Sequence, residues 1–197
     1  MKRLLLAGAA VLLFGVGTAW AGATEDGHTA YQRGDYPEAL KQFRLGAAQG
    51  DADAQLDIGV MYYLGKGVAQ DYAEAIKWYR LAATQGNAEA QENLGLAYIL
   101  GRGVPPDDAE GVKWMHLAAA QGYAPAQESL GMAYSDGRGV PQDYVRAHMW
   151  FNLSGASGDA SGAEKRDLLA ARMTPQQIAE AQKLARECQQ RNFKGCD

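Results

Sequence analysis

The chain has 197 residues, including 24 Gly, 6 Pro and 2 Cys, and 47% of it is apolar. That length allows one domain or a small pair, and so much apolar surface can bury a core, which excludes an intrinsically disordered chain. The formal net charge of −4 argues against nucleic acid as a partner, because such binding draws on basic surface.

The first 21 residues have the layout of a secretory signal peptide. Lys2 and Arg3 supply the positive start, residues 4–16 form an apolar run, and Ala19-Trp20-Ala21 provides the small residues of a cleavage site, with the cut expected after Ala21. An apolar run of about 13 residues falls short of the roughly 20 that a spanning helix needs, so no stable membrane insertion is expected once the leader is removed. Cleavage leaves 176 residues and, with Lys2 and Arg3 gone, a net charge of −6. The implied destination is periplasmic or secreted.

From residue 51 the chain repeats with a period of 36. Residues 51–86, 87–122 and 123–158 align without a gap, sharing 19 of 36 positions between the first and second blocks and 18 between the second and third. Such a period signals a solenoid of supersecondary units. In each block apolar and small residues at helical spacing (Ala54, Ile58, Met61 and Tyr62 in the first) predict a helix over 52–64 and its equivalents. Gly65, Gly101 and Gly137 stand where a helix ends on a left-handed residue. After a short loop, Asp71, Asp107 and Asp143 occupy the N-cap of a second helix. Glu74 and Glu110 lie three residues on, where a capping box would form. Arg146 replaces that Glu in the third block, which predicts a weaker start. The second helices stop at Gly86, Gly122 and Gly158.

The period continues outward. Asp35-Tyr36-Pro37-Glu38-Ala39-Leu40 is in phase with residues 71–76, and Gly50 with Gly86, so residues 22–50 are expected to form an N-terminal repeat whose first helix covers about 27–34 and turns more tightly. Residues 159–172 open a further unit within a C-terminal segment, 159–197. Thr174-Pro175-Gln176-Gln177 then starts a last helix reaching about Arg191. Roughly ten helices are expected. Of the 21 Gly beyond the leader, 13 fall at four phases of the repeat, so the glycine excess marks helix stops and close approaches instead of a flexible chain.

Catalytic chemistry is hard to find. His28, His116 and His148 make no metal-ligand spacing; His116 takes a slot read as solvent-facing, and His148 one read as partly buried. No Ser-x-x-Lys or Gly-x-Ser-x-Gly occurs, and no cofactor motif. The Gly-Lys/Arg-Gly tips at 65–67, 101–103 and 137–139 follow a helix instead of opening one, so they read as loop geometry. A stacked row of Lys66, Arg102 and Arg138 nonetheless leaves a glycan contact open. Trp78, Trp114 and Trp150, in phase, are expected in the core between repeats. Cys188 and Cys196, beyond a leader that sends them to an oxidising compartment, are expected to pair, closing a loop that stabilises by roughly 2–3 kcal/mol.

The unit Ala-x-Ala-Gln…Leu-Gly-x-Ala-Tyr…Gly-Arg-Gly-Val-Pro…Asp…Lys-Trp…Leu-Ala-Ala…Gly, carried almost unbroken by residues 88–122, resembles the Sel1-like repeat, a relative of the tetratricopeptide repeat with a longer inter-helix loop. The run Met173-Thr174-Pro175-Gln176-Gln177 looks like the closing helix of bacterial secreted members. The resemblance implies an all-α fold, a right-handed α/α solenoid superhelix, and a role as adaptor or scaffold. Some members are periplasmic regulators. By analogy with tetratricopeptide solenoids the first helix of each pair lines a concave groove, which places Asp53, Leu56, Val60 and Tyr63 on it. Glu89, Glu92, Leu96 and Ile99 follow, then Glu128, Met132 and Ser135. This strip, apolar in the middle with carboxylates beside it, would suit a peptide with apolar anchors and a few Lys or Arg. The function expected is therefore a non-enzymatic periplasmic scaffold or regulatory adaptor that binds a protein or peptide. The alternative is a cell-wall or β-lactam-binding protein or hydrolase like the family's cysteine-rich branch. That branch carries a Cys pair in every repeat, whereas residues 51–158 contain no Cys.

Overall fold

A computed structural model describes residues 21–196. The expected leader lies outside the described residues except for Ala21, the first residue of α1. The described chain forms ten helices: α1 (Ala21–Gln32), α2 (Tyr36–Ala47), α3 (Ala52–Leu64), α4 (Tyr72–Thr84), α5 (Ala88–Leu100), α6 (Asp108–Ala119), α7 (Ala124–Asp136), α8 (Tyr144–Ala156), α9 (Ala160–Ala170) and α10 (Pro175–Gln190). Each packs on the next as far as α9, giving an all-α solenoid of helix pairs. The first helix begins six residues earlier than the sequence suggested. Its tight turn is real: residues 33–35 join α1 to α2, where seven residues, 65–71, join α3 to α4.

Local chemistry explains the helix limits. The side chains of Asp71, Asp107 and Asp143 accept backbone N–H groups of Glu74, Glu110 and Arg146 at 2.9, 2.9 and 3.0 Å. The expected capping box is absent in these helices. The backbone N–H groups of Asp71, Asp107 and Asp143 already donate to the carbonyls of Tyr62, Tyr98 and Tyr134, so no Glu is needed to satisfy them. Glu74 and Glu110 instead pair with Lys77 and Lys113 and accept the indole N–H of Trp78 and Trp114, each at 3.1 Å. Arg146 therefore does not weaken the third cap; it pairs with Asp143 at 2.7 Å and lies over the Tyr134 ring. Its cost falls on Trp150, whose indole nitrogen is buried without a partner.

The helices of a pair cross where a side chain is missing. A methyl group at Gly59 or Gly131 would overlap the ring of Tyr79 or Phe151, and one at Gly95 would lie 2.9 Å from the Gly111 carbonyl oxygen on α6. Around these crossings the buried side chains form three successive clusters. The first unites Phe43, Ile58 and Met61, the second Ile76, Tyr79 and Leu94, and the third Met115, Leu130 and Trp150. Trp78 and Trp114 pack on the first two from the side, so the tryptophans join repeats as expected.

The cationic row is consumed between repeats. Lys66 sits 5.4 Å from the Tyr36 ring centroid, Arg102 lies over the Tyr63 and Tyr72 rings, and Arg138 pairs with Asp108 at 3.0 Å and donates to the Ile99 carbonyl at 2.7 Å. Each loop cation thus clips onto the preceding pair. His116, read as solvent-facing, makes edge contacts with Tyr134 and Trp150 at 6.1 and 5.8 Å between centroids. His148 is buried at 2% exposure, deeper than expected, and desolvation lowers its pKa.

The C-terminal helix departs from the period. α10 packs chiefly on α8, turning Ala181, Ala185 and Cys188 inward at helical spacing. The receiving face explains the choice. Val145 and Met149 border the cleft between α8 and α10, whereas position 149 is Lys77 and Lys113 in the two preceding repeats. Cys188 and Cys196 are disulfide-bonded, as expected, holding a turn in which Asn192 and Phe193 have φ of 50° and 63°. The Phe193 ring closes over Gly122.

Two substitutions test these contacts. Gly95→Ala gains up to about 1 kcal/mol of helix propensity but forces two backbones apart, costing about 1–3 kcal/mol. A net loss in urea unfolding is expected, and a stabilised variant would contradict the crossing. Replacing both Cys188 and Cys196 by Ser should lower stability by about 2–3 kcal/mol, while circular dichroism retains the helical signal of the repeats.

Candidate functional site

The first helices of the pairs, α1, α3, α5, α7 and α9, share one face on which four cavities follow one another. The first, about 220 Å³ between α1 and α3, is lined by His28, Tyr31, Phe43, Asp57 and Val60, with Glu89 from α5 at its edge. The next, about 390 Å³, shares Val60 and Glu89 with it and adds Tyr63, Leu64, Leu96 and Leu100. A third, about 210 Å³, shares Leu96 and Leu100 and adds Ile99, Ser129, Met132 and Asp136. The last, about 340 Å³ between α7 and α9, shares Met132 and Asp136 and adds Lys165, Leu168 and Arg172. Shared walls make these cavities one groove. Its centre line is a single phase of the repeat: Val60, Leu96, Met132 and Leu168 stand 36 residues apart. His28 takes the same place on α1 after an offset of 32, the shorter turn having removed four residues; Gly27 meets Phe43 there as Gly59 meets Tyr79.

Among the residues the sequence placed on this surface, the structure brings Val60, Tyr63, Glu89, Leu96 and Met132 together along the groove. Ser135 lines the last cavity. Asp53 is exposed and accepts a hydrogen bond from the Asn87 side chain at 2.7 Å. Glu128 is engaged by Ser161 at 2.9 Å and Lys165 at 2.6 Å. Two expectations are corrected. Leu56 is 8% exposed in the second cluster and Glu92 is 5% exposed between α5 and α7, whereas Ile99, also buried, lines the third cavity as its floor. The reason is the width of the buried arc: packing against the neighbouring first helices claims the flank positions that phase alone assigned to the groove. The sequence reading also missed His28, Asp57, Leu64, Leu100, Leu168 and Arg172. Leu168 was findable from its 36-residue offset. His28 was hidden by the shortened turn.

Two carboxyl groups carry unusual protonation. Burial pushes the Glu92 carboxyl up to about 7; Ser129 donates to one oxygen at 2.6 Å and the other oxygen has no partner. Burial also raises Asp57 to about 6, against the opposing pull of His28, whose Nε2 lies 2.6 Å from its Oδ2. Among the described residues no cluster of His, Cys, Asp or Glu has the arrangement of a metal site, and no helix is long and apolar enough to cross a membrane.

An α/α solenoid of roughly three dozen residues per pair, with a groove on its first helices, defines the class. The Sel1 repeat family matches residues 52–87, 88–123 and 124–159. The chain therefore belongs to the Sel1-repeat family, whose members are in general protein–protein interaction scaffolds. Among the solved structures that resemble it are two with more than 30% sequence identity. One is c5321, a protective antigen of uropathogenic Escherichia coli with the same repeat fold (39% identity over 78% of this chain and 34% of that one, TM-score 0.74). The other is a Sel1 repeat protein from Oxalobacter formigenes (34% identity over 74% of this chain and 60% of that one, TM-score 0.70). The chain thus spans less than two thirds of either relative. No curated protein matches it.

The raised Glu92 carboxyl makes a signed prediction. Its folded pKa lies above the ordinary 4.5, so the folded state holds a proton that the unfolded state has lost, and stability falls as pH rises from about 4.5 to about 7. Urea unfolding of Glu92→Gln should show that decline reduced and the variant more stable than wild type at pH 8, by about 1 kcal/mol or more. Equal pH profiles for the two proteins would contradict the buried, uncompensated charge.

Proposed function

We propose that the protein is a non-enzymatic scaffold or regulatory adaptor, exported from the cytoplasm, that holds a segment of a partner protein in the groove of its first helices. The observation carrying this reading is the continuity of the groove together with what it leaves uncovered. Leu64, Leu100, Met132 and Leu168 all border it and are between 39% and 66% exposed. Large apolar side chains kept in water on a concave, preformed surface are the usual anchors for an extended or helical peptide. Tyr63 and Glu89 stand beside them, with Asp53 nearby on α3.

Export is supported by Lys2, Arg3, the apolar run and Ala19-Trp20-Ala21, and by a disulfide of the kind that persists in oxidising compartments. For a cell-wall or β-lactam-directed protein the supporting mark would be cysteines in each repeat, and residues 51–158 have none.

The test uses residues 22–197 as bait in an extract of the native envelope, read by quantitative mass spectrometry. Leu100→Glu with Met132→Glu puts two charges on the groove at side chains 51% and 39% exposed, so the fold should survive, as circular dichroism can verify. Recovery of the specific partner should drop at least tenfold. Undiminished recovery by a folded variant would remove the groove from the function.

A further inference from the structure

We propose that the α1–α3–α5 end of the groove is a subsite for a basic side chain, so that the partner segment carries an Arg or Lys there and apolar side chains along the remainder. The inference rests on the groove reading above and adds the chemistry of its occupant.

The first observation is the composition of the end cavity. Its walls are the Tyr31 ring and Val60 over a floor of Phe43, itself covered by His28, with the Asp57 carboxylate and Glu89 at its rim. A long cationic side chain needs those two things together: apolar surface for its stem, here with one tyrosine ring, and a carboxylate to take its head. At about 220 Å³ the space suits one side chain and not a larger ligand.

The second observation is charge that the fold leaves uncompensated. Glu89 is exposed and makes no hydrogen bond or ion pair among the described residues. Asp53 lies one helical turn before Asp57 on α3, and its carboxylate accepts from the neutral Asn87 amide at 2.7 Å with no cation paired to it among the described residues. Against these three carboxylates the end cavity offers, among the described residues, the imidazole of His28, already held by Asp57 at 2.6 Å. A partner's cation would relieve like-charge repulsion here.

The third observation is a gradient along the groove. Position 57 of the repeat reads Asp57, Asn93, Ser129 and Lys165 in successive first helices, from acid through two neutral side chains to base. The far cavity is bordered by Lys165, paired with Glu128 at 2.6 Å, and by Asp136 and Arg172. A basic residue is therefore drawn to the acidic end, while the far end, where Lys165 is paired and Asp136 stands in the wall with Arg172, offers it no such surplus of negative charge, which sets the register of a bound segment as well as its affinity.

Selection from a display library of random 12-residue peptides tests this, with wild type, Glu89→Lys, and the pair Leu100→Glu with Met132→Glu as targets. Peptides selected by wild type should share an Arg or Lys beside apolar positions. A synthetic peptide of that motif should bind Glu89→Lys at least tenfold more weakly by fluorescence anisotropy. Replacing its basic residue by Glu should weaken binding to wild type and restore binding to Glu89→Lys. A motif without a basic residue, or a basic motif indifferent to Glu89→Lys, overturns the subsite while leaving the groove, provided binding is still lost in the Leu100→Glu, Met132→Glu protein. Peptides indifferent to that pair as well, or no enrichment above it, overturn the groove and the subsite together.

Discussion

The two helices of each pair cross so closely that positions 59, 95 and 131 have no room for a side chain, and the remaining architecture follows from that contact. With the Cβ absent, Tyr79, Met115 or Phe151 on the second helix packs directly onto the first helix's backbone. Each first helix is thereby fixed in rotation about its own axis. Fixing that rotation in successive pairs aligns equivalent residues into rows: one row goes to the core, one to the seam between repeats, and one to the groove. Had the crossings differed from repeat to repeat, Val60, Leu96, Met132 and Leu168 would not form a line.

The rows also show how the repeats are joined. Arg44 and Arg80 reach the hydroxyl groups of Tyr62 and Tyr98 on the following first helix, and His116 takes the same place against Tyr134 by ring contact. Gln85 and Gln121 donate to Gln55 and Gln91 at 2.8 Å. In the last full repeat this regularity lapses. Ser157 stands where a glutamine would meet Gln127, leaving its carbonyl oxygen buried and unpartnered, as Arg146 leaves the Trp150 indole. These defects cluster where α10 turns back to close the solenoid. Burial under α10 offsets them with apolar contact at Val145 and Met149 and with the Cys188–Cys196 bond.

Much of this was legible in the sequence because it is local. Asp71, Gly65 and their copies mark helix limits through contacts within a few residues, so a 36-residue period translates directly into helix pairs. Elements that depend on distant partners were not legible. Nothing near Lys66 or Arg102 announces a tyrosine ring one pair back. The burial of Leu56 and Glu92 depends on how closely successive first helices stack, a distance that no single repeat encodes. The docking of α10 on α8 had a readable signal, the change from Lys77 and Lys113 to Met149, but its meaning requires knowing that a helix lies opposite. Half of the groove followed from phase; its ends, His28 and Arg172, lie where turns depart from the period.

The central claim is that partners occupy the first-helix face. The second helices present a competing surface: Leu45, Leu81 and Leu117, also 36 residues apart, are 40% to 51% exposed there. Oxidative footprinting of side chains, with and without the captured partner, distinguishes the two faces. The account predicts protection of Leu64, Leu100, Met132 and Leu168 and unchanged modification of Leu45, Leu81 and Leu117. Protection of the second set with the first unchanged would contradict it.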